Sequence, residues 1–265
     1  MVIIPGALII GITIGLLGAG GSILTVPILI YLVGQEEKAA IAGSMAIVGF
    51  VALIGSIPCI KAKLVDWRNV LLFGIPGMLG TYGGAGLAAF VPGIVQLLAF
   101  SAVMIVASVL MLRPIVSAEA SYKSAEGEAS PGDEDIRHPS KILADGLVVG
   151  LLTGFVGVGG GFLIVPALVL MGGLNMHRAV ATSMVIIALK SFTGFAKYLD
   201  VLEDFNLALD WNVIVAFSVI GAVGSLLGKY ISGYIAQGAL RKGFGVFLIL
   251  MAGYIMIRSS LDLLA

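Results

Sequence analysis

The residue best suited to bind a charged ligand in this chain is a lysine deep inside an apolar run. Lys190 lies in the stretch from Arg178 to Leu199, and Ser191 follows it. A lysine at the centre of a membrane-spanning helix costs about 2.5–3.5 kcal/mol, and such residues usually face a cavity and carry function. No Asp or Glu occurs in the middle of any apolar run. The amine therefore either loses its proton or binds an anion; a lysine that snorkels to the surface is the alternative.

Two glycine-rich stretches are the second candidate for ligand binding. Gly18-Ala19-Gly20-Gly21 and the run from Gly157 to Gly161 interrupt apolar units, and glycine disfavours continued helix. A helix that restarts after such a break, from about Ser22 or Gly161, exposes N–H groups and about half a positive charge at its N-terminus, which suits an anion. Glycine also lets backbone amides approach a ligand without a Cβ in the way.

Hydroxyl side chains complete the predicted site. The predicted substrate-binding residues are Lys190, Gly20, Gly21, Ser22, Thr25, Ser44, Gly159, Gly160, Gly161, Ser183 and Ser191. In membrane helices Ser and Thr often bond only to their own backbone, so a purely structural role is the alternative for each hydroxyl. No catalytic residue, metal ligand or cofactor is predicted.

The elements that carry these residues occur twice. Residues 11–55 align with residues 150–194 at a constant offset of 139, and the alignment resumes after a five-residue shift with Asp66-Trp67 and Asp210-Trp211. A duplicated apolar unit interrupted by glycine is typical of secondary transporters.

Equivalent positions in the two copies differ in one informative place. Ser44 and Ser183 are equivalent, whereas Lys190 aligns with Val51, so the predicted site is asymmetric. Another set of recurring glycines, four residues apart, is predicted to let helices pack closely: Gly11, Gly15, Gly80, Gly84, Gly150, Gly154, Gly224 and Gly228.

Composition restricts the class of protein. The chain is 59% hydrophobic and 11% charged, whereas a soluble globular chain has about 25% charged residues. Several apolar runs reach the roughly 20 residues needed to cross a bilayer, which predicts a multi-pass protein of the cell membrane. The net charge is zero, so there is no electrostatic reason to expect a nucleic-acid partner. The single Cys59 is expected to be a small buried side chain.

Two membrane repeats are predicted, at 1–113 and 141–265, joined by a flexible cytoplasmic linker at 114–140 that is too polar to fold alone. Each repeat contains four apolar units: about 2–33, 39–60, 68–90 and 93–112 in the first, and about 142–172, 178–199, 211–235 and 239–259 in the second. The first unit of each repeat is too long for one crossing, at about 48 Å for residues 2–33. It is either one long broken crossing or a re-entrant pair of half-length helices.

The charges of the loops favour the re-entrant alternative. Lys and Arg in short loops favour the cytoplasm. The loop 61–68 carries three basic residues, whereas its counterpart 197–210 carries one basic and four acidic residues. Opposite bias in equivalent loops implies inverted repeats, and inversion requires an odd number of crossings per repeat. The predicted fold is therefore all-α, with a glycine-broken, re-entrant unit plus three transmembrane helices per repeat; eight plain crossings are the alternative.

The resulting map assigns each loop to one side of the membrane. Lys61–Arg68, the linker, His177–Arg178 and Arg241–Lys242 are predicted to lie inside. Both termini, Gln35–Lys38 and Lys197–Asp210 are predicted to lie outside.

The doubled motif resembles the TauE/SafE family of sulfite exporters. Gly-x-Gly-Gly-Ser-x-Leu-x-Val-Pro at 18–27 returns as Gly-x-Gly-Gly-Gly-x-Leu-x-Val-Pro at 157–166, and each is followed by Ala-x-Ala-Gly/Thr-Ser-Met, at 40–45 and 179–184. The resemblance covers the chain except the linker. It implies export of sulfite or a sulfur-containing organic anion across a bacterial or archaeal plasma membrane.

The sequence thus predicts an anion transporter that works by alternating access. An anion channel of the same architecture and a transporter of another small organic anion are the alternatives. A cation or metal transporter is disfavoured because carboxylates and His/Cys clusters are absent at membrane depth. An intramembrane enzyme is disfavoured because no Ser/His pair or paired aspartates occur there. The expected partners are a small anion and the lipid bilayer, and the small-residue faces would permit a homodimer.

Overall fold

The computed structural model describes residues 3–18, 20–112, 139–156, 161–170, 173–205 and 207–264. All regular elements in these ranges are helices, in agreement with the predicted all-α fold. The linker predicted at 114–140 lies outside the described residues except for Pro139 and Ser140, which already belong to a helix.

The first repeat contains six α-helices in the described residues. The helices are α1 (Ile3–Leu17), α2 (Gly20–Pro27), α3 (Glu37–Lys61), α4 (Trp67–Asn69), α5 (Ile75–Ala88) and α6 (Gly93–Leu112). Helix α2 continues into a π-helical segment at Ile28–Leu32, and a second π-helical segment at Val70–Gly74 joins α4 to α5.

The second repeat has the same order of elements. Its helices are α7 (Pro139–Val156), α8 (Gly161–Leu170), α9 (Met176–Asp204), α10 (Trp211–Ser232) and α11 (Gln237–Leu264). Thus α7 to α9 correspond to α1 to α3, α10 corresponds to the continuous span from α4 to α5, and α11 corresponds to α6.

Five helical spans in the described residues are long and apolar enough to cross a membrane: Glu37–Lys61, Trp67–Ala88, Met176–Asp204, Trp211–Ser232 and Gly238–Ile257. Six full crossings were predicted from sequence, and five of them are found: two in the first repeat and three in the second. The apolar part of α6, Gly93–Val109, is shorter, as are Ile4–Leu17 and Ser22–Leu32.

Glycines bring helices of different repeats into close contact. Helix α1 packs on α10, and its counterpart α7 packs on α5. A Cβ at Gly11 would collide with the carbonyl of Gly221, and one at Gly150 would collide with the carbonyl of Gly77. The remaining glycines of the predicted packing set make equivalent approaches to facing backbone, which confirms their role: Gly15, Gly80, Gly84, Gly154, Gly224 and Gly228.

The order of these contacts gives the direction of the short helices. Along α1, Gly6 faces Phe217 and Gly15 faces Ser225, so α1 runs parallel to α10. Along α7, Gly146 faces Phe73 and Gly154 faces Thr81, so α7 runs parallel to α5. The other main pairs are α3 with α9 and α6 with α11.

Loop contacts define two ends of the helical bundle, here called end A and end B. At end A, an open cleft of about 380 Å³ is lined by residues of both repeats, including Gln35, Glu36 and Asp210. Also at end A, Lys38 Nζ donates to the carbonyl of Ala89 at 3.2 Å and lies 3.6 Å from the centre of the Phe205 ring.

End B lies at the other termini of the same helices. The backbone N–H of Asp66 donates to Thr182 Oγ1 at 3.0 Å. His177 lies five residues before Thr182 on the same helix, and its Nε2 is 3.2 Å from the carbonyl oxygen of Ser232. The starts of α4 and α9 and the end of α10 therefore meet at end B.

Candidate functional site

Lys190 is completely buried in α9, and its Nζ has no hydrogen-bond partner among the described residues. Its aliphatic stem lies against Gly77 in α5. A Cβ at Gly77 would be 3.2 Å from Lys190 Cδ and 3.4 Å from Cε, so the glycine provides the room that the stem occupies. The lysine does not snorkel to a surface in this structure.

The equivalent place in the other half is filled by an apolar side chain. Val51 in α3 faces Gly221 in α10, where a Cβ would lie 2.9 Å from Val51 Cγ2. The facing helix therefore has a glycine in both halves, whereas the residue opposite it is lysine in one half and valine in the other. Sequence equivalence and packing agree that the buried amine stands in one half of the duplicated arrangement and a valine in the other.

Ser191 is the second buried group without a partner next to this position. Its Oγ has no hydrogen-bond partner among the described residues. Its Cβ would lie 3.3 Å from a Cβ at Gly49 in α3. Lys190 and Ser191 therefore face different neighbours, α5 and α3.

The first glycine break occurs at Gly18. This residue has φ of +74°, and its N–H donates to the carbonyl of Ile14 at 2.8 Å, which ends α1. Helix α2 starts at Gly20, two residues earlier than the predicted start at Ser22. The predicted site glycines Gly20 and Gly21 thus form the first turn of α2.

Polar side chains from both repeats lie at this first break. Ser22 and Thr25 of α2 are completely buried. Ser183, on α9 of the second repeat, has its Oγ 2.8 Å from the position that a Cβ at Gly18 would take. The structure therefore brings a predicted hydroxyl ligand of one repeat to the glycine break of the other.

Two of the predicted hydroxyls also bond to their own helices. Ser183 Oγ donates to the carbonyl of Val180 at 2.9 Å, and Ser44 Oγ donates to that of Ile41 at 2.7 Å. Both are buried. A hydroxyl whose hydrogen points to its own backbone still has lone pairs, and it can redirect the hydrogen to a stronger acceptor.

The second glycine break lies largely outside the described residues, which include neither Gly159 nor Gly160. On its two sides, α7 ends at Val156 and α8 begins at Gly161. Helices α2 and α8 contact one another. The two short helices that follow the breaks are therefore neighbours.

Lys190 is separated from the first break along α9. Seven residues, or about 10 Å of helix, lie between Ser183 and Lys190. The seven-residue spacing places both on nearly the same helix face. The described contacts link Ser183 to Gly18 and Lys190 to Gly77, and they do not join the amine to a break.

Two buried polar residues near the end of α7 were not singled out by the sequence analysis. Tyr198 on α9 donates from its hydroxyl to the carbonyl of Gly154 at 3.5 Å. Gln96 on α6 donates from Nε2 to the carbonyl of Ala88 at 2.9 Å. Comparison of repeat positions was the signal that could have found them, because Tyr198 aligns with Cys59 and Gln96 with Leu240.

The capping aspartates, the two tryptophans and the cysteine have roles in helix capping, at the helix starts and in the core. Asp66 and Asp210 cap the helices that begin at Trp67 and Trp211, and both tryptophans are exposed, as expected for interfacial anchors. Cys59 is completely buried, which agrees with its expected role as a small core residue.

Proteins with similar sequences are described as membrane transporters. The family model described as "Sulfite exporter TauE/SafE" matches residues 3–255. A probable membrane transporter protein of Xylella fastidiosa is 30% identical over 260 residues, covering 97% of this chain and 95% of that protein. The probable membrane transporter protein YunE of Bacillus subtilis is 30% identical over 218 residues, covering 75% and 78%. No solved structure matches significantly.

Proposed function

The chain belongs to the TauE/SafE sulfite exporter family, and on that premise we propose that this multi-pass membrane protein exports sulfite or a related sulfur-containing anion. The observation that carries the proposal is the amine of Lys190, completely buried and without a hydrogen-bond partner in the described residues. A buried cation needs a counter-charge, and a small anion in transit is the counter-charge that such a protein supplies.

The first short helix pair is proposed to be re-entrant. Helix α1 runs parallel to α10, which starts at Asp210 of end A. Helix α2 and its π-helical segment lead back to Glu36, which lines the same end-A cleft as Asp210. A pair that enters from end A and returns to end A does not cross the membrane.

The second pair is proposed to be re-entrant from the opposite side. Helix α7 runs parallel to α5, whose span starts at Trp67 of end B. Helix α8 leads to the start of α9, where Thr182 contacts Asp66, again at end B. Two hairpins entering from opposite ends are the arrangement expected of inverted repeats, with end B in the cytoplasm because its loops carry the basic residues.

Anion binding is proposed between the two hairpins and Lys190. The N-terminal turns of α2 and α8 each provide unsatisfied N–H groups and a partial positive charge. Because α2 contacts α8, both termini can act on one ligand near the midplane. Gly20, Gly21, Ser22 and Thr25 would contribute from the first repeat, Gly159, Gly160, Gly161 and Ser183 from the second, with Ser44, Lys190 and Ser191 from α3 and α9.

Movement of one repeat against the other would expose this site to each side in turn. The two helical turns between Lys190 and the first break suit such a mechanism, since the anion could pass from the amine to the backbone amides as the repeats move. An inside-negative potential favours anion exit by about 2.3 kcal/mol per charge per 100 mV. A uniporter driven in this way is one route, and coupling through protonation of the anion itself is another.

Transport by the purified protein tests the proposal. Efflux of sulfite from proteoliposomes should saturate with internal concentration, and external sulfite should accelerate the exit of labelled sulfite by counterflow. Flux that rises linearly without counterflow would favour a channel. No sulfite flux, with saturable flux of an organosulfonate, would retain the transporter and change its substrate.

A further inference from the structure

A hydrogen bond joins the two repeats at end B. The backbone N–H of Asp66, which precedes α4 in the first repeat, donates to Thr182 Oγ1 on α9 in the second repeat at 3.0 Å. Thr182 is completely buried, and Asp66 is half-buried. The Asp66 side chain accepts from the N–H of Asn69. Asp66 thus caps a helix of its own repeat with its carboxylate and binds the other repeat with its N–H.

The equivalent position at end A has no side chain that could form this bond. Asp210, which precedes α10, is the counterpart of Asp66, and Gly43 on α3 is the counterpart of Thr182. A glycine offers no hydroxyl acceptor. Asp210 is exposed and lines the open cleft between the repeats, whereas Asp66 is half-buried beside Thr182. At this position the repeats are therefore joined where the sequence has threonine and separated by a cleft where it has glycine.

Packing around Gly43 shows that it lies beside this cleft. A Cβ there would be 3.7 Å from Ile214 Cγ1 and 3.8 Å from Gln35 Oε1, which are ordinary contact distances. Ile214 is one helical turn from Asp210, and Gln35 lines the same cleft. The position has room for a Cβ near the start of α10, and it differs from Thr182 in lacking a hydroxyl.

We propose that the hydrogen bond between Asp66 and Thr182, here called the end-B latch, favours a conformation that is closed at end B and open at end A. This inference rests on the proposed function, in which the two repeats move against each other to expose the anion to each side in turn. Opening end B then requires Asp66 to leave Thr182, whereas opening end A breaks no counterpart of this bond. The latch therefore shifts the population towards the conformation that is open at end A.

The latch is next to a proposed anion-binding residue. Ser183 follows Thr182 directly, and its Oγ is 2.8 Å from the position that a Cβ at Gly18 would take at the first glycine break. Holding the anion at this break and closing end B would therefore involve consecutive residues of α9.

Cysteine labelling of the purified full chain in detergent tests the latch without a transport assay. Val65 is buried at end B next to Asp66, and Ala39 is buried on α3, where it lines the end-A cleft. In a Cys59→Ala background, Val65→Cys should react with a maleimide about fivefold faster when Thr182→Val is added, the factor for loss of one ordinary hydrogen bond. Ala39→Cys should not react faster, because end A closes as end B opens. Thr182→Ser keeps the hydroxyl and should restore the slow rate at position 65.

Gly43→Thr is the complementary variant, because it places at end A the hydroxyl that end B has. By stabilising closure at end A, it should also speed the reaction of Val65→Cys. An unchanged rate at position 65 in Thr182→Val, in protein that melts as the wild type does, would overturn the latch. Faster reaction at both positions 39 and 65 would overturn it too, since that is general loosening of the fold. If Thr182→Val does not fold, an unchanged rate in Gly43→Thr decides against the latch.

Transport separates the latch from the proposed function. Saturable sulfite efflux together with unchanged labelling would remove the latch and leave the transporter. The expected labelling in a protein that carries no anion would keep the latch as a contact between two conformations and refute the proposed function.

Discussion

At the scale of single residues, the main feature is a buried lysine in one repeat at the position where the other repeat has a valine. Val51 and Lys190 occupy equivalent places against Gly221 and Gly77. A bound anion held by Lys190 would therefore lie nearer to α5 and α7 than to the equivalent helices α10 and α1. This position distinguishes the proposal from a ligand shared equally by the two helix N-termini.

Ser183 provides a prediction about the first glycine break. Ser183→Ala should raise the anion concentration at half-maximal flux by about fivefold, the effect of losing one hydrogen bond of about 1 kcal/mol, with maximal flux little changed. Ser108→Ala is the control, because this buried hydroxyl donates to the carbonyl of Ile105 on its own helix α6. Concentration dependence of efflux from proteoliposomes gives both values. Identical curves for Ser183→Ala and wild type would remove this hydroxyl from the site.

Lys190 could be found from sequence because a charge in an apolar run is rare and costly. The contact of its stem with Gly77 could not, because that contact joins helices of different repeats and depends on how the repeats dock. Gln96 and Tyr198 were missed for a related reason. A glutamine or tyrosine in an apolar helix is common, and only their juxtaposition with the end of α7 makes them notable.

At the scale of elements, glycine has two different uses in this fold. The glycines of α1, α5, α7 and α10 allow facing backbones to approach closely, whereas Gly18 ends α1 with a left-handed conformation. Both uses occur in the first hairpin, where Gly11 and Gly15 pack against α10 and Gly18 ends α1.

Alanine substitutions at Gly18 and Gly34 distinguish the cost of backbone strain from the cost of steric crowding. Both have positive φ, +74° and +78°, but a Cβ at Gly34 would meet nothing within 4 Å. Gly34→Ala should cost about 1–2 kcal/mol, the strain of a left-handed alanine. Gly18→Ala should lower the melting temperature further, since its Cβ would also press on Ser183 and Val180. Equal melting temperatures for the two variants would show that the break is not crowded.

Alanine substitutions at Gly150 on α7 and Gly83 on α5 are predicted to differ strongly in their effect on stability, because only the first places a Cβ against a facing backbone. Gly150→Ala places a Cβ against the Gly77 backbone and should reduce both the yield of folded protein and its melting temperature. Gly83→Ala, on α5 but with nothing within 4 Å of the new Cβ, should be neutral or slightly stabilising because alanine favours helix. Size-exclusion profiles and melting curves in detergent measure both. A harmless Gly150→Ala would contradict the close α5–α7 contact.

Helix bounds were predictable to within a few residues where apolar runs end at polar loops. The runs predicted at 39–60 and 68–90 became Glu37–Lys61 and the span Trp67–Ala88. The start of α2 at Gly20 was predicted two residues late, because the prediction relied on the poor helix propensity of glycine, which tertiary context overrides here. The π-helical segments after Pro27 and Asn69 have no signal in apolar periodicity.

At the scale of the whole molecule, duplication of sequence is matched by duplication of packing. The pairs α1–α10 and α7–α5 are equivalent, and α3–α9 and α6–α11 each join a helix to its own counterpart. The repeat was visible in the sequence, whereas this exchange of partners between repeats was not, because it follows from tertiary packing rather than from any local pattern.

Membrane sidedness is testable with single cysteines in a Cys59→Ala background. Ala208→Cys lies in the cleft at end A and Ala62→Cys lies in the basic loop at end B, and both positions are exposed. A membrane-impermeant maleimide added to intact cells should label position 208 and not position 62, with the converse in inverted vesicles. Labelling of both from one side would contradict the proposed assignment of the two ends.

The most direct test of the central claim, that a buried lysine binds the transported anion, is sulfite efflux from proteoliposomes containing wild type, Lys190→Ala or Lys197→Ala. Lys197 is on the same helix but pairs with Asp200 at 2.9 Å near the surface, so its loss controls for removal of a lysine. The account predicts saturable flux in wild type and Lys197→Ala, and at least about tenfold lower flux in Lys190→Ala, since an uncompensated intramembrane anion loses several kcal/mol of stabilisation. Equal flux in all three proteins, each folded to the same melting temperature, would contradict it.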